Sequence, residues 1–333
     1  MDIQHIVVPE AGKDYPRNWN AFLDWFGTEE ACLAYLERLR WPQEFVCPAC
    51  AVSQAPYRSS RGRLMCRACG RQSTVTAGTI FDKTRTPLRV WLAAAWYLTN
   101  QKQGVSALGL QRVLGLGSYQ TAWAMLHRLR RAMVRPERER LSGIVEVDET
   151  YLAISDREQP VARGRGKGRK SQTHQTLVVI AVELHEPKGF GRLRLERIPN
   201  DSTEQVIPFV LANIEPGSQV RTDGSAAYRD LADLGYLHQR TVHLGSDVPA
   251  HVSMVGVHRV AALVKRWVLG THQGAVQPAH LDAYLDEFVF RFNRRASRSR
   301  GLLFYRLLEQ AVVTDPLTYR GVVDNIPKSA EVA

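Results

Sequence analysis

No stretch of the 333 residues is apolar for long enough to cross a membrane; the richest, Val90 to Leu98, falls far short of the about 20 residues a spanning helix needs. The first thirty residues lack a basic start followed by an apolar block. Asp2, Glu10, Asp14 and Asp24 lie scattered among aromatics instead, which argues against a secretory leader and sets the expectation of a cytoplasmic protein. Cysteine is scarce: five in all, four of them in two close pairs, so a disulfide-stapled secreted scaffold fits poorly. No internal repeat is visible. Acidic residues are outnumbered, 33 against 44 lysines and arginines, and the formal charge of +11 favours a polyanionic partner. A hydrophobic share of 44% is that of an ordinary globular chain and excludes wholesale disorder.

The basic residues are clustered rather than spread. Arg128, Arg130, Arg131, Arg135, Arg138 and Arg140 form one group, Arg163, Arg165, Lys167, Arg169 and Lys170 a second, and Arg291 to Arg300 a third. Separate clusters suit several contacts along a phosphate backbone, so nucleic acid is the expected partner.

The chain divides by pattern. Residues 1–45 read as a helical lead-in, with Thr28 followed by Glu29 and Glu30 at a helix start and Pro42 beyond its end. Residues 46–82 hold the paired cysteines. Residues 86–140 read as helical: a helix after Pro87, a second from Ser106 to Leu114, the Gly115-Leu116-Gly117 turn, and a third opened by Ser118 and basic at its end. That outline is helix-turn-helix-like and predicts a DNA-binding region, although unrelated helical hairpins share it.

From 143 to 310 the pattern becomes α/β. Strands are expected at Ile144–Leu152, Thr176–Leu184, Arg192–Ile198, Gln219–Thr222 and Arg240–Leu244. Helices are expected at Ser202–Ile214, Ala226–Leu234, Val257–Leu269 and Pro278–Leu308. Three strands, helix, strand, helix, strand, helix is the order of an RNase H-like mixed sheet. Residues 311–333 form a tail.

Cys47-Pro48-Ala49-Cys50 and Cys66-Arg67-Ala68-Cys69 are two CxxC knuckles, and two such turns supply the four thiolates of a structural Zn²⁺ site with no position left for water. Arg58, Arg61, Arg63, Arg67 and Arg71 surround them, so the ribbon is suited either to DNA or to protein contacts. Cys32 reads as a packed residue.

Asp148 lies late in the first expected strand and Asp223 at the end of the fourth, neighbours in an RNase H-like sheet. Each alone is as consistent with a cap or an Asp-Gly turn. Together, in a basic protein, they suit Mg²⁺ or Mn²⁺, oxygen-seeking ions that in pairs about 4 Å apart promote phosphodiester chemistry. Glu146 and Glu149 flank the site, Glu146 on the side of Asp148.

The runs Val145–Tyr151, Thr222–Tyr228, His258–Lys265, Leu269–Val276 and Tyr284–Arg295 resemble those of bacterial insertion-sequence transposases of the ISXO-like group, zinc-ribbon members of the DDE superfamily. The likeness extends from the ribbon to about Leu308. It implies cleavage at transposon ends and joining of the freed 3′ hydroxyl to target DNA, with double-stranded DNA as partner, at least two chains on the DNA, and a nucleoid-associated setting. It places Asp148 and Asp223 at the first two metal-ligand positions. His258 falls where most of the superfamily has glutamate, and Lys265 follows at an offset of seven. Glu287, Arg291 and Arg294 resemble a second signature, with Glu287 and Glu149 able to supply the oxygen His258 lacks. Arg128, Arg130, Arg131, Lys167, Arg291 and Arg294 are the expected DNA contacts. Two other readings stay open: a catalytically inactive DNA-binding regulator descended from a transposase, and a nuclease that cuts without joining.

Overall fold

The computed structural model describes residues 8–60, 62–135, 137–154, 174–241 and 253–324. They fall into two compact units, Met1–Arg135 with Ala296–Ala333, and Pro136–Arg295. The basic run containing Arg163, Arg165, Lys167, Arg169 and Lys170 lies outside the described residues.

The first unit opens with α1 (Trp19–Trp25) and α2 (Glu29–Arg40). Thr28 caps α2 as its residue type predicts, its hydroxyl accepting from the Ala31 amide at 3.2 Å. Glu29 and Glu30 sit in the first turn and Arg38 and Arg40 in the last, matching the helix dipole at both ends. A small antiparallel sheet follows, β1 (Tyr57–Arg58), β2 (Leu64–Met65) and β3 (Gln72–Ser73). Then come α3 (Leu88–Asn100), α4 (Ala107–Leu114) and α5 (Tyr119–Arg131). Ser106 and Ser118 cap the last two, and Gly115, at φ +61, takes the left-handed conformation that ends α4.

The second unit is built on one sheet: β4 (Ile144–Ile154), β5 (His174–Leu184), β6 (Phe190–Ile198), β7 (Gln219–Thr222) and β8 (Leu237–Arg240). Its order is β6-β5-β4-β7-β8, antiparallel through β6, β5 and β4 and parallel through β4, β7 and β8. Helix α6 (Thr203–Asn213) joins β6 to β7, and a 3₁₀ turn (Ala226–Leu231) joins β7 to β8. Helices α7 (Val255–His272) and α8 (Leu281–Asn293) follow. This is the RNase H-like α/β arrangement. Alternation along β4 sends Val145 and Val147 into a core with α6 and the 3₁₀ turn. Leu152 and Ile154 go into the opposite core, with α7 and α8.

Three elements differ from the sequence expectation. The 226–234 helix is a 3₁₀ turn ending at Leu231, and the last strand begins earlier, at Leu237. The single helix expected over 278–308 is two helices, and in the turn between them Ser297 Oγ donates to the Ser299 carbonyl at 3.0 Å. The second piece, α9 (Arg300–Ala311), belongs to the first unit rather than the second, and α10 (Tyr319–Val323) follows it. Phe304 on α9, 0% exposed, packs edge-on to Trp96 and Phe22 at centroid distances of 5.3 and 5.8 Å. Burial of that aromatic face decides where α9 goes.

Candidate metal and DNA-processing site

The four paired cysteines converge. Cys47 Sγ lies 3.7 Å from Cys69 Sγ, Cys50 Sγ lies 3.7 Å from Cys66 Sγ, and all four sulfurs fall within 4.8 Å of one another. A tetrahedral ion with Zn–S bonds near 2.3 Å sets its sulfurs about 3.8 Å apart, so the donor set fits Zn²⁺. Each knuckle is closed by its own backbone: Ala51 N donates to the Cys47 carbonyl at 2.9 Å and Gly70 N to the Cys66 carbonyl at 3.0 Å. The Cys69 amide draws the Cys66 thiol down to about 6, and the Ala49 amide draws the Cys47 thiol down, both toward the thiolate a metal takes. Around the ribbon, Arg58 pairs with Glu37, while the Arg67 guanidinium stacks 4.5 Å above the exposed ring of Tyr57.

The two aspartates are related by strand register. Beta-4 and β7 run parallel with Glu146 opposite Arg221, so the same register carried two residues on sets Asp148 opposite Asp223. Neighbouring strands are about 4.8 Å apart, so this register would set the two backbones side by side, Asp148 within β4 and Asp223 just past the end of β7. Asp148 Oδ1 accepts from the Glu149 amide at 2.8 Å, and Asp223 Oδ1 accepts from the Ser225 amide at 2.9 Å. Behind them, on the other face of β4, Glu149 accepts from the buried Tyr228 hydroxyl at 2.5 Å. Burial raises the Glu149 carboxyl to about 7; the Tyr228 hydroxyl lowers it, while Asp148, Asp223 and Asp201 push it further up. Negative charge is concentrated here.

The remaining expected residues are distributed less evenly. His258 is half-buried in the first turns of α7 and Lys265 is exposed further along it. Among the described residues, the four cysteines are the one group of three or more His, Cys, Asp or Glu side chains gathered for a metal, so Asp148, Asp223 and His258 are not closed into a three-ligand set. Glu287 is 0% exposed and accepts from Arg291 Nε at 2.8 Å. Arg294 lies over the Phe290 ring at 4.1 Å. Glu146 shares the face of Asp148 but is turned to the start of α7, not to the aspartates.

One expected DNA contact is corrected. Arg130 is 1% exposed, because it falls on the stripe of α5 that buries Ala122, Leu126 and Leu129 inside the first unit, where no duplex can reach it. Arg128 and Arg131 are half-buried on the same helix, and burial lowers both guanidinium pKa values; Arg128 also lies 6.0 Å from the Trp91 centroid.

A zinc ribbon followed by an RNase H-like domain is the architecture of a DDE-type transposase. The family model for the ISXO2-like transposase domain matches residues 140–293, and that for the transposase zinc-ribbon domain matches 27–72. A protein in transposable element ISH50 of Halobacterium salinarum is 31% identical over 284 residues, covering 80% of this chain and 91% of that protein. The chain belongs to the ISXO2-like transposase family. Among solved structures, the catalytic core domain of BIV integrase is similar at a TM-score of 0.29 and 15% identity, over 48% of this chain and 87% of that one. A pre-cleavage Mos1 transpososome is similar at a TM-score of 0.25 and 12% identity, over 70% and 78%.

Proposed function

We propose that this transposase binds the ends of its insertion sequence, cuts a strand there, and joins the freed 3′ hydroxyl to target DNA. What supports the reading is the parallel β4–β7 register, which, carried two residues past the Glu146–Arg221 pair, would set Asp148 opposite Asp223, and the charge of both acting on Glu149. Those two aspartates would hold Mg²⁺ or Mn²⁺, and their donor chemistry fits such an ion. Bound there, the ion supplies Lewis-acid activation of the attacking oxygen and charge neutralisation at the leaving oxygen.

The chain's own residues do the rest. His258, which the resemblance puts at the third position, would offer a nitrogen donor to the ion. Lys265, exposed on the same helix, offers an ammonium to the DNA backbone. Glu287, buried against Arg291, is assigned to holding that arginine, and Arg291 and Arg294 to contacting DNA. Double-stranded terminal and target DNA are the partners, and pairing of two ends calls for at least two chains. No helix among the described residues is long and apolar enough to cross a membrane.

The test is a labelled terminal DNA fragment incubated with the full chain and Mn²⁺. The native protein should nick the end and give a joined product. Binding without cleavage would identify an inactive regulator; cleavage without joined product would identify a nuclease.

A further inference from the structure

The first N–H groups of a helix need acceptors from outside it. Helix α7 begins after Met254, whose side chain supplies no cap. The acceptor comes from the sheet: Glu146 Oε2 takes the Gly256 amide at 2.7 Å and the Val257 amide at 3.0 Å. The residue is 2% exposed, so these charge-assisted bonds form in a dry setting at the positive end of the helix dipole. The approach is close because residue 256 is glycine. A Cβ there would come within 2.8 Å of Glu146 Oε2 and Leu184 Cδ2, and within 2.9 Å of Val182 Cγ1.

The two ends of this contact lead to the site. Glu146 precedes Asp148 by two residues on β4 and points to the same face of the sheet. His258 follows Gly256 by two residues on α7. Both connections run through regular backbone, a strand on one side and a helical turn on the other.

We propose that Glu146 is a positioning residue, pinning the start of α7 to β4 and so fixing His258 beside Asp148 and Asp223. This rests on the reading of those three residues as the metal-holding set. Glu146 itself is committed to the helix: one oxygen serves two amides. Outer partners that orient a ligand typically change metal affinity by about 10–100-fold when removed.

The experiment is a double-mutant cycle on Mn²⁺ binding to the full zinc-loaded chain without DNA, with free Mn²⁺ followed by electron paramagnetic resonance. Glu146→Ala should raise the Mn²⁺ midpoint about tenfold, and Glu146→Gln, which keeps one oxygen acceptor, should stay within about threefold of the native value. In a His258→Ala background, adding Glu146→Ala should shift the midpoint by less than about twofold, because the ligand it positions is already gone. Amide hydrogen exchange in Glu146→Ala should accelerate at residues 255–258. An equal shift with and without His258, or no shift at all, would overturn the proposal. If Glu146→Ala does not fold, the same cycle is run with Gly256→Ala, whose Cβ would come within 2.8 Å of Glu146 Oε2, and an effect of equal size in both backgrounds counts against positioning. Failure of the native chain to cut DNA would sink the transposition chemistry and leave this binding cycle readable.

Discussion

Glu183 on β5 and Glu149 on β4 are carboxylates of one sheet in opposite surroundings. Glu183, 6% exposed, accepts from the Arg192 guanidinium at 2.6 Å, from the Arg192 amide at 2.7 Å and from the Ser142 amide at 3.0 Å. Burial pushes its pKa up, but Arg192 and these amides outweigh that and leave it below the ordinary value. Arg192 goes on to donate to the Arg140 carbonyl at 2.7 Å, so the pair ties the chain's entry into the second unit to the β5–β6 hairpin. Around Glu149 a tyrosine hydroxyl is the stabilising neighbour, and three aspartates act against its ionisation. Where a carboxylate serves the frame, the fold supplies its cation. Around Glu149 it gathers like charges, the setting in which a cation from solution is worth most.

The contrast breaks if the two corners respond alike to mutation. The largest expected effect is on activity: Asp148→Ala or Asp223→Ala should lower cleavage of terminal DNA by about 10³-fold or more, since metal stabilisation of the transition state is worth several kcal/mol. Both variants should keep DNA binding in a mobility-shift assay and lose little stability. Glu183→Ala should do the reverse, lowering unfolding free energy by about 2–3 kcal/mol in a urea titration, a figure reduced for the partial exposure of Arg192. Its pH dependence has a definite sign. A carboxyl held below its unfolded value of 4.5 contributes stability that is present above that value and is lost as pH falls through the lower folded one. The native melting temperature should therefore drop below pH 4.5 more steeply than that of Glu183→Gln. A parallel acid response in the two proteins would remove Glu183 from the frame.

Much of this is legible in the sequence itself. The zinc knuckles were readable because their ligands sit in short local turns, where spacing alone sets geometry. The caps at Thr28, Ser106 and Ser118 were equally local. The sheet order was legible in the alternation of strands and helices, and it puts β4 and β7, the strands of Asp148 and of the residue before Asp223, next to each other. What escaped was tertiary. Arg130 looked like one more surface arginine, since a basic run does not say which side of a helix faces the core. The place of α9 depends on an aromatic cluster drawn from residues 22 to 304, far beyond any local pattern. Glu146 read as a metal-site neighbour, and its engagement with α7 joins residues 110 apart. Gly256, two residues before His258 and without a capping residue ahead of it, was the signal that could have pointed there.

Two smaller effects sharpen the comparison. Glu149→Gln keeps an oxygen for the Tyr228 hydroxyl while removing one like charge from the group. At pH 8, without added divalent cation, it should stabilise the protein by about 0.5–1 kcal/mol where Glu183→Gln destabilises it. Equal signs in a denaturant titration would show that the β4 corner is not electrostatically unbalanced.

The last effect concerns the donor that completes the site. Imidazole is a softer ligand than carboxylate, Mg²⁺ holds out for oxygen, and Mn²⁺ accepts nitrogen more readily. With His258 at the third position, the native transposase should cleave several-fold faster in Mn²⁺ than in Mg²⁺, a difference of about 1 kcal/mol. His258→Glu restores an oxygen donor and should narrow that gap chiefly by raising the Mg²⁺ rate. Equal Mg²⁺ and Mn²⁺ rates in the native chain would mean that His258 does not meet the metal, and that the aspartates hold it with oxygen drawn from elsewhere, Glu149 being the carboxylate already beside them.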